Sequence, residues 1–195
     1  MATPVSTSDV DLINRAFGKV DGRRISATTD TIKEGELARR YYAPTLDEML
    51  GEHPWRFATT RVSLTSTTAL EGWDYAFELP ADFIKLVELA GNSNFYGSGI
   101  FPHHREGNLI LTSHSIVWCR YVYALRNVLR MPGLFQEAFC QRFAAYVGPH
   151  LNRSGTMTRG LYEQSEITLG KAKSQDGLEE SHEDLPDSPW LSVRE

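Results

Sequence analysis

The chain has 195 residues, of which 41% are hydrophobic and 23% are charged, a composition typical of one globular domain with its own core. No run approaches the roughly 18 apolar residues that a membrane span needs, and residues 1–9 lack the basic and apolar regions of a signal peptide, so we expect an intracellular protein when made. The net charge of −5 comes entirely from residues 173–195, which hold seven acidic and two basic side chains. The neutral remainder argues against a sequence-independent phosphate binder, which needs a basic face.

The N-terminal part of the chain predicts two helices. The first covers about residues 8–17, because a Ser-Asp pair at its start can cap it and apolar side chains follow at helical spacing. A loop anchored by Ile25 comes next, and a longer helix with one apolar stripe covers residues 31–52. Pro44 lies inside this second helix and removes a backbone donor, so we expect a kink or a break there.

The middle of the chain predicts a small antiparallel sheet within residues 57–124. Apolar or alternating runs indicate five strands, at residues 59–64, 73–79, 83–89, 108–112 and 117–123. The Gly-, Asn- and Ser-rich segment 91–107 is typical of an exposed loop or a wide hairpin.

The C-terminal third returns to helical spacing, with helices predicted over about residues 133–150 and 156–172. Glycine and prolines then lie among acids and serines, with too little apolar surface to fold alone. We therefore divide the chain into a core domain, 1–172, and an acidic arm, 173–195. The predicted class is α+β: a mainly α-helical bundle with a small antiparallel β-sheet inserted between N- and C-terminal helices, plus the extended arm.

No residue pattern indicates a catalytic or cofactor site. His103 and His104, with Glu106 and His114 nearby, are the best metal candidates, but they lack a ligand spacing such as HExxH, and solvated loop histidines are the simpler interpretation. No pair of carboxylates stands out at a spacing suited to glycoside cleavage, and no glycine-rich nucleotide motif is present. We therefore expect no enzyme activity, no metal and no cofactor.

Aromatic and cysteine side chains in the apolar runs are predicted to be packing residues. An aromatic cluster with Arg56 and Arg61 nearby has the composition of a base-stacking platform, but strand-like alternation favours core and sheet packing for Trp55, Phe57, Trp73, Tyr75 and Phe77. Cys119 and Cys140 show no pairing pattern and are expected to be buried, reduced thiols.

The end of the arm differs from an idle polar tail. Trp190 and Leu191 follow a proline, with Leu185 before them and Val193 after them. Apolar side chains of this kind are typical of an anchor that binds in a pocket of another protein, while the neighbouring acids steer it toward a basic surface. We expect these four residues to contact a partner. A purely solubilising tail is the alternative.

The order of these features resembles a known family. The specific parts are the segment HPWRFA at residues 53–58, the segment WDYAF at 73–77 and the segment LPADF at 79–83, preceded by the long helix. This order is similar to that of the head-to-tail connector, or adaptor, proteins of tailed bacteriophages, the family of tail tubular protein A. The resemblance covers roughly the first half of the chain, and the second half matches in layout alone.

The resemblance implies a structural virion protein at the head-tail interface, assembled in the host cytoplasm. Such proteins form a ring, typically of twelve subunits, beneath the portal, where the ring extends the channel for genomic DNA without reading its sequence. The arm is then expected to reach onto the portal protein. The next tail component, a nozzle or tail-completion protein, is expected to contact the loop residues Phe95, Tyr96, Phe101, His103 and His104.

Two other functions remain as alternatives at this level. One is a tail-associated peptidoglycan hydrolase, which needs a cleft with two placed carboxylates. The other is a DNA-binding accessory protein with a regulatory acidic tail, whose binding would weaken as salt rises.

Overall fold

The structure, a computed structural model, describes residues 8–95 and 101–178, which form four helices and seven short strands. The helices are α1 (Asp9–Gly18), α2 (Lys33–Glu52), α3 (Gly133–Val147) and α4 (Gly155–Leu178). The strands are β1 (Thr59–Ser63), β2 (Ser66–Thr67), β3 (Tyr75–Glu78), β4 (Phe83–Ala90), β5 (His104–Glu106), β6 (Leu109–Thr112) and β7 (Trp118–Tyr123). The predicted α+β class is confirmed.

The strands divide between two antiparallel sheets instead of forming one. The first sheet has the order β1-β7-β4, and the second has the order β2-β3-β6-β5. The chain crosses between them directly after β1, because β1 ends at Ser63 and β2 begins at Ser66. Alternation along a strand reveals which residues share a face but not which strand lies alongside, so the sequence did not separate the sheets.

Two apolar cores follow from this division. The larger core lies among the four helices and one face of the first sheet, and α3 is at its centre with Phe135, Phe139 and Phe143 fully buried. The smaller core contains buried residues from both sheets, among them Phe77 and Tyr121. A helix that is apolar on most sides must be covered on most sides, and α3 packs against α1, α2 and α4.

The predicted break at Pro44 is absent, because α2 is one helix from Lys33 to Glu52. Its C-terminal half is held by tertiary packing: Leu46, Met49 and Leu50 are fully buried in the larger core. Burial of three large side chains stabilises this part of the helix by several kcal/mol, which offsets the backbone hydrogen bond that the proline lacks.

The predicted boundary between the last helix and the arm was wrong. The helix predicted to end at residue 172 continues to Leu178, and Ala172 and Asp176 are buried, so the arm cannot begin at 173. The segment 91–107, predicted as an exposed loop or a wide hairpin, contains β5, which pairs with the next strand, β6, from His104 to Glu106. At α4 the contacts of Asp176 with the sequence-distant segment 53–58 hold the last turn of the helix, and local composition does not report them.

Two smaller features complete the fold. Helix α3 ends at Val147, and the 3₁₀ turn Gly148–Leu151 follows it, in place of a single helix to residue 150. None of the helices in the described ranges combines the length and apolar character that crossing a bilayer requires.

Candidate functional site

The structure describes part of the predicted partner-binding set. Tyr96 and the arm residues lie outside the described residues, the latter being Leu185, Trp190, Leu191 and Val193. Phe95 has a left-handed backbone (φ 60°), and the guanidinium of Arg61 lies 5.2 Å from the centre of its ring. That contact joins the start of the loop to β1.

The remaining loop residues lie in two separate pairs. Phe101 stacks on His114 at 4.5 Å between ring centres, whereas His104, in β5, stacks on Trp73 at 6.2 Å. The exposed His103 donates from Nδ1 to the carbonyl oxygen of Phe101 at 2.8 Å. In the described part of the chain no group of three or more His, Cys, Asp or Glu side chains is arranged to hold a metal ion.

The aromatic residues divide between core and surface. Trp55 and Phe77 are buried and Phe57 packs against the larger core, so the packing prediction is confirmed for these three. Tyr75 is 38% exposed on the second sheet, so it is not a core residue. Cys119 and Cys140 are buried and unpaired, as expected, and burial raises the pKa of Cys140 to about 11.

The most distinctive polar site is an open pocket where the segment 53–58 meets β1, β7 and the end of α4. Its volume is about 490 Å³, and its lining residues are His53, Pro54, Arg56, Thr59, Arg61, Arg120, Asp176 and Gly177. We call it the basic pocket, since three arginines line it and Asp176 is its only acidic lining residue among those described.

Buried Trp55 fixes the wall of the basic pocket that the segment 53–58 supplies. Its indole Nε1 donates to the carbonyl oxygen of Met49 at 2.9 Å, and its ring packs edge-on against Phe135 with centres 5.0 Å apart. Because the Trp55 side chain is buried in the larger core, the nearby residues His53 and Arg56 lie at the surface and line the pocket.

A second wall comes from the first sheet. Arg61 of β1 and Arg120 of β7 are direct cross-strand partners, so their side chains leave the same face of the sheet. Arg120 also pairs with Glu88 of β4 at 3.5 Å. Like charges directly opposite each other are unfavourable, and an anionic ligand between them would relieve that repulsion.

A third wall of the pocket comes from α4, which contributes Asp176. Its carboxylate accepts a hydrogen bond from the backbone N–H of Arg56 at 3.2 Å and lies 3.2 Å from Nε2 of His53. The carboxylate is at the C-terminal end of its helix, where the helix dipole disfavours negative charge. The bonds to the 53–58 segment therefore account for its burial and tie the last turn of α4 to the body.

A second arginine site lies deeper, between α2, α3 and α4. The guanidinium of buried Arg142 contacts the carboxylates of Glu48, Glu52 and Glu166. Burial alone would raise the pKa of Glu52, but hydrogen bonds from Lys173 and Arg142 outweigh it and lower this pKa below its usual value. We call this group the Arg142 cluster. The charged side chains of this cluster are paired with one another, so the cluster holds α2, α3 and α4 together.

The sequence offered a weak signal for the basic pocket. Arg56 and Arg61 stood beside the aromatic cluster, but Arg120 lies far along the chain and Asp176 fell within the predicted arm. No protein-family model matches this chain, and comparison with curated proteins gives no significant match either. The function is therefore inferred from the residues themselves.

Proposed function

We propose that this chain is a head-to-tail adaptor of a tailed bacteriophage, a ring subunit beneath the portal that extends the DNA channel and docks the next tail component. The observation that carries the proposal is that the chain leaves the end of α4 at a fixed position on the body. Asp176 ties the last turn of α4 to the segment 53–58, so the chain leaves the body at one defined place. Residues 179–195 then supply an acidic stretch and an apolar tip, a combination suited to gripping a larger partner.

Exposed apolar side chains support the ring. Ile116, Leu129 and Ile167 are each more than half exposed, and they belong to different parts of the fold: the turn before β7, the 3₁₀ turn Val128–Arg130, and α4. Each subunit of a closed ring makes heterologous contacts, which need two different surfaces on one chain. A ring of about twelve such chains binds a portal multivalently, so the attachment is tight even when each arm binds weakly.

The test is truncation after Leu178, which removes the acidic stretch and the tip but retains the contacts of Asp176. The truncated chain is expected to unfold at an unchanged temperature and to fail to join purified portal rings in co-sedimentation and electron microscopy. The double substitution Trp190→Ala/Leu191→Ala should weaken attachment in the same assay, whereas the matched control Arg194→Ala should not. Normal attachment by the truncated chain would overturn the proposal.

Two inexpensive assays separate the alternatives. Clearing of peptidoglycan in a zymogram would favour the hydrolase. Binding of duplex DNA at low salt, lost as salt rises, would favour the accessory protein. The adaptor is expected to give neither signal.

A further inference from the structure

Helix α4 buries few apolar side chains for a helix of 24 residues. Of its five buried residues only Leu169 and Ala172 are apolar, whereas all four buried residues of the ten-residue helix α1 are apolar. The large apolar side chains of α4 that are more than a third exposed are Met157, Tyr162, Ile167 and Leu178. Burial of apolar surface is the main favourable contribution to packing, so this contribution is small for α4 relative to its length.

Charged side chains provide a large part of the attachment in the C-terminal half of α4. Glu166 belongs to the Arg142 cluster, and Lys173 pairs with Glu52 at 2.7 Å. Asp176 is bonded to the segment 53–58. The side chains of Glu166, Lys173 and Glu52 are partly exposed, so water and salt reach their ion pairs and weaken them.

Two interior glycines lower the intrinsic stability of α4. Gly160 and Gly170 are exposed, and a Cβ atom added at either position would have no neighbour outside the local helix backbone within 4 Å. Close packing therefore does not require glycine at these positions. Glycine in a helix interior is less favourable than alanine, because it loses more conformational freedom on folding. Separated from the rest of the fold, α4 is thus expected to unwind.

We propose that α4 opens from the body and unwinds as a unit while α1, α2, α3 and both sheets stay folded, and that its ion pairs set how often it opens. Proteins open locally in cooperative units, and units with few buried apolar contacts open most often. In the closed structure Ala172 and Asp176 line a narrow cleft whose other walls include Trp55, Leu134 and Phe135. Opening of α4 exposes the apolar surface of those walls.

This proposal does not depend on the adaptor function, because it concerns the stability of one helix in the isolated chain. The closed state remains the main one, so it agrees with a fixed position at which the chain leaves α4. If the chain is an adaptor, opening releases Asp176 from the segment 53–58 and removes that fixed position.

The test measures amide hydrogen exchange of the full-length chain by mass spectrometry, under conditions in which exchange reports the population of open states. The amides of residues 161–174 are expected to be about 100-fold less protected than the slowest amides of α3. Equal protection of the two helices would overturn the proposal, because α4 would then open only when the whole domain unfolds.

A substitution in α1 separates local opening from global unfolding. Ile13 is fully buried, and α1 packs mainly against α2 and α3, so Ile13 keeps its contacts when α4 opens. Ile13→Val should therefore quicken the slowest exchange of α3 about fivefold and leave exchange in α4 unchanged. If α4 quickens by the same factor as α3, the two helices open together and the proposal fails.

Two substitutions on α4 test what holds it closed. Lys173→Gln removes the ion pair with Glu52 and should quicken exchange in α4 about threefold, whereas the matched control Lys171→Gln, at an exposed position outside the described ion pairs, should not. Gly160→Ala/Gly170→Ala should slow exchange in α4 about tenfold, since it strengthens the folded helix. Unchanged exchange in either variant would contradict opening that is set by ion pairs and accompanied by unwinding.

Discussion

The Arg142 cluster and the basic pocket both contain arginines, but they differ in how their charge is balanced. In the Arg142 cluster one buried guanidinium meets three carboxylates from two other helices, and Lys173 adds a further positive charge on Glu52 at 2.7 Å. In the basic pocket three arginines line an open surface beside one committed carboxylate. The difference shows that charges paired between helices stabilise the fold, whereas the arginines of the basic pocket lie at an open surface of the chain.

Replacing the central arginine of each site tests this comparison most strongly. Arg142→Met leaves three carboxylates without their shared cation and should lower the free energy of unfolding by about 2.5 kcal/mol. This is below the 3–5 kcal/mol of fully buried pairs, because the carboxylates retain water. Arg61→Met, in the basic pocket, should stay within about 0.5 kcal/mol of the parent. Urea unfolding measures both, and equal losses would contradict the distinction.

Asp176 lines the basic pocket but also has a structural role. Its removal should therefore lower the free energy of unfolding by an amount between those of the two arginine variants. Asp176→Ala leaves the backbone N–H of Arg56 without its acceptor and should lower the free energy of unfolding by about 1.5 kcal/mol. Hydrogen exchange should quicken at the Arg56 amide and in the last turn of α4. Asp176→Asn, which keeps an acceptor oxygen, should recover part of the loss. If exchange in that turn is unchanged in the alanine variant, Asp176 does not tie α4 to the body.

The smallest expected effect is the pH dependence of the Arg142 cluster. Because the pKa of Glu52 is lowered in the folded chain, its contribution is fully present above the ordinary carboxyl pKa and is lost as the pH falls through the folded value. Glu52→Gln should therefore cost about 1 kcal/mol at pH 7, as accessible ion pairs do, and this deficit should shrink below about pH 4. Urea unfolding of both chains from pH 7 to pH 3 provides the measurement, with Glu163→Gln on α4 as the control. A deficit that does not vary with pH would show that the charge of Glu52 does not contribute to the stability of the fold.

Helix α1 and the strands β4 and β7 illustrate what local patterns predict well. Ser8 caps α1 by accepting from the backbone N–H of Asp11, whose side chain accepts from Ser8 in return. Strands β4 and β7 fall within a residue of their predicted ends, because apolar and polar side chains along them mark their limits. These features depend on neighbours in sequence, so the sequence reports them directly.

The sequence by itself determined the α+β class, the positions of the main helices and strands, and the concentration of negative charge at the C-terminus. Tertiary structure alone decided the separation into two sheets, the extension of α4 to Leu178 and the assembly of the basic pocket. The physical reason is the same in each case. Strand partners, the acceptor for Arg56 and the approach of Arg61 to Arg120 are contacts between residues far apart in the chain, and no local pattern of hydrophobicity or propensity encodes them.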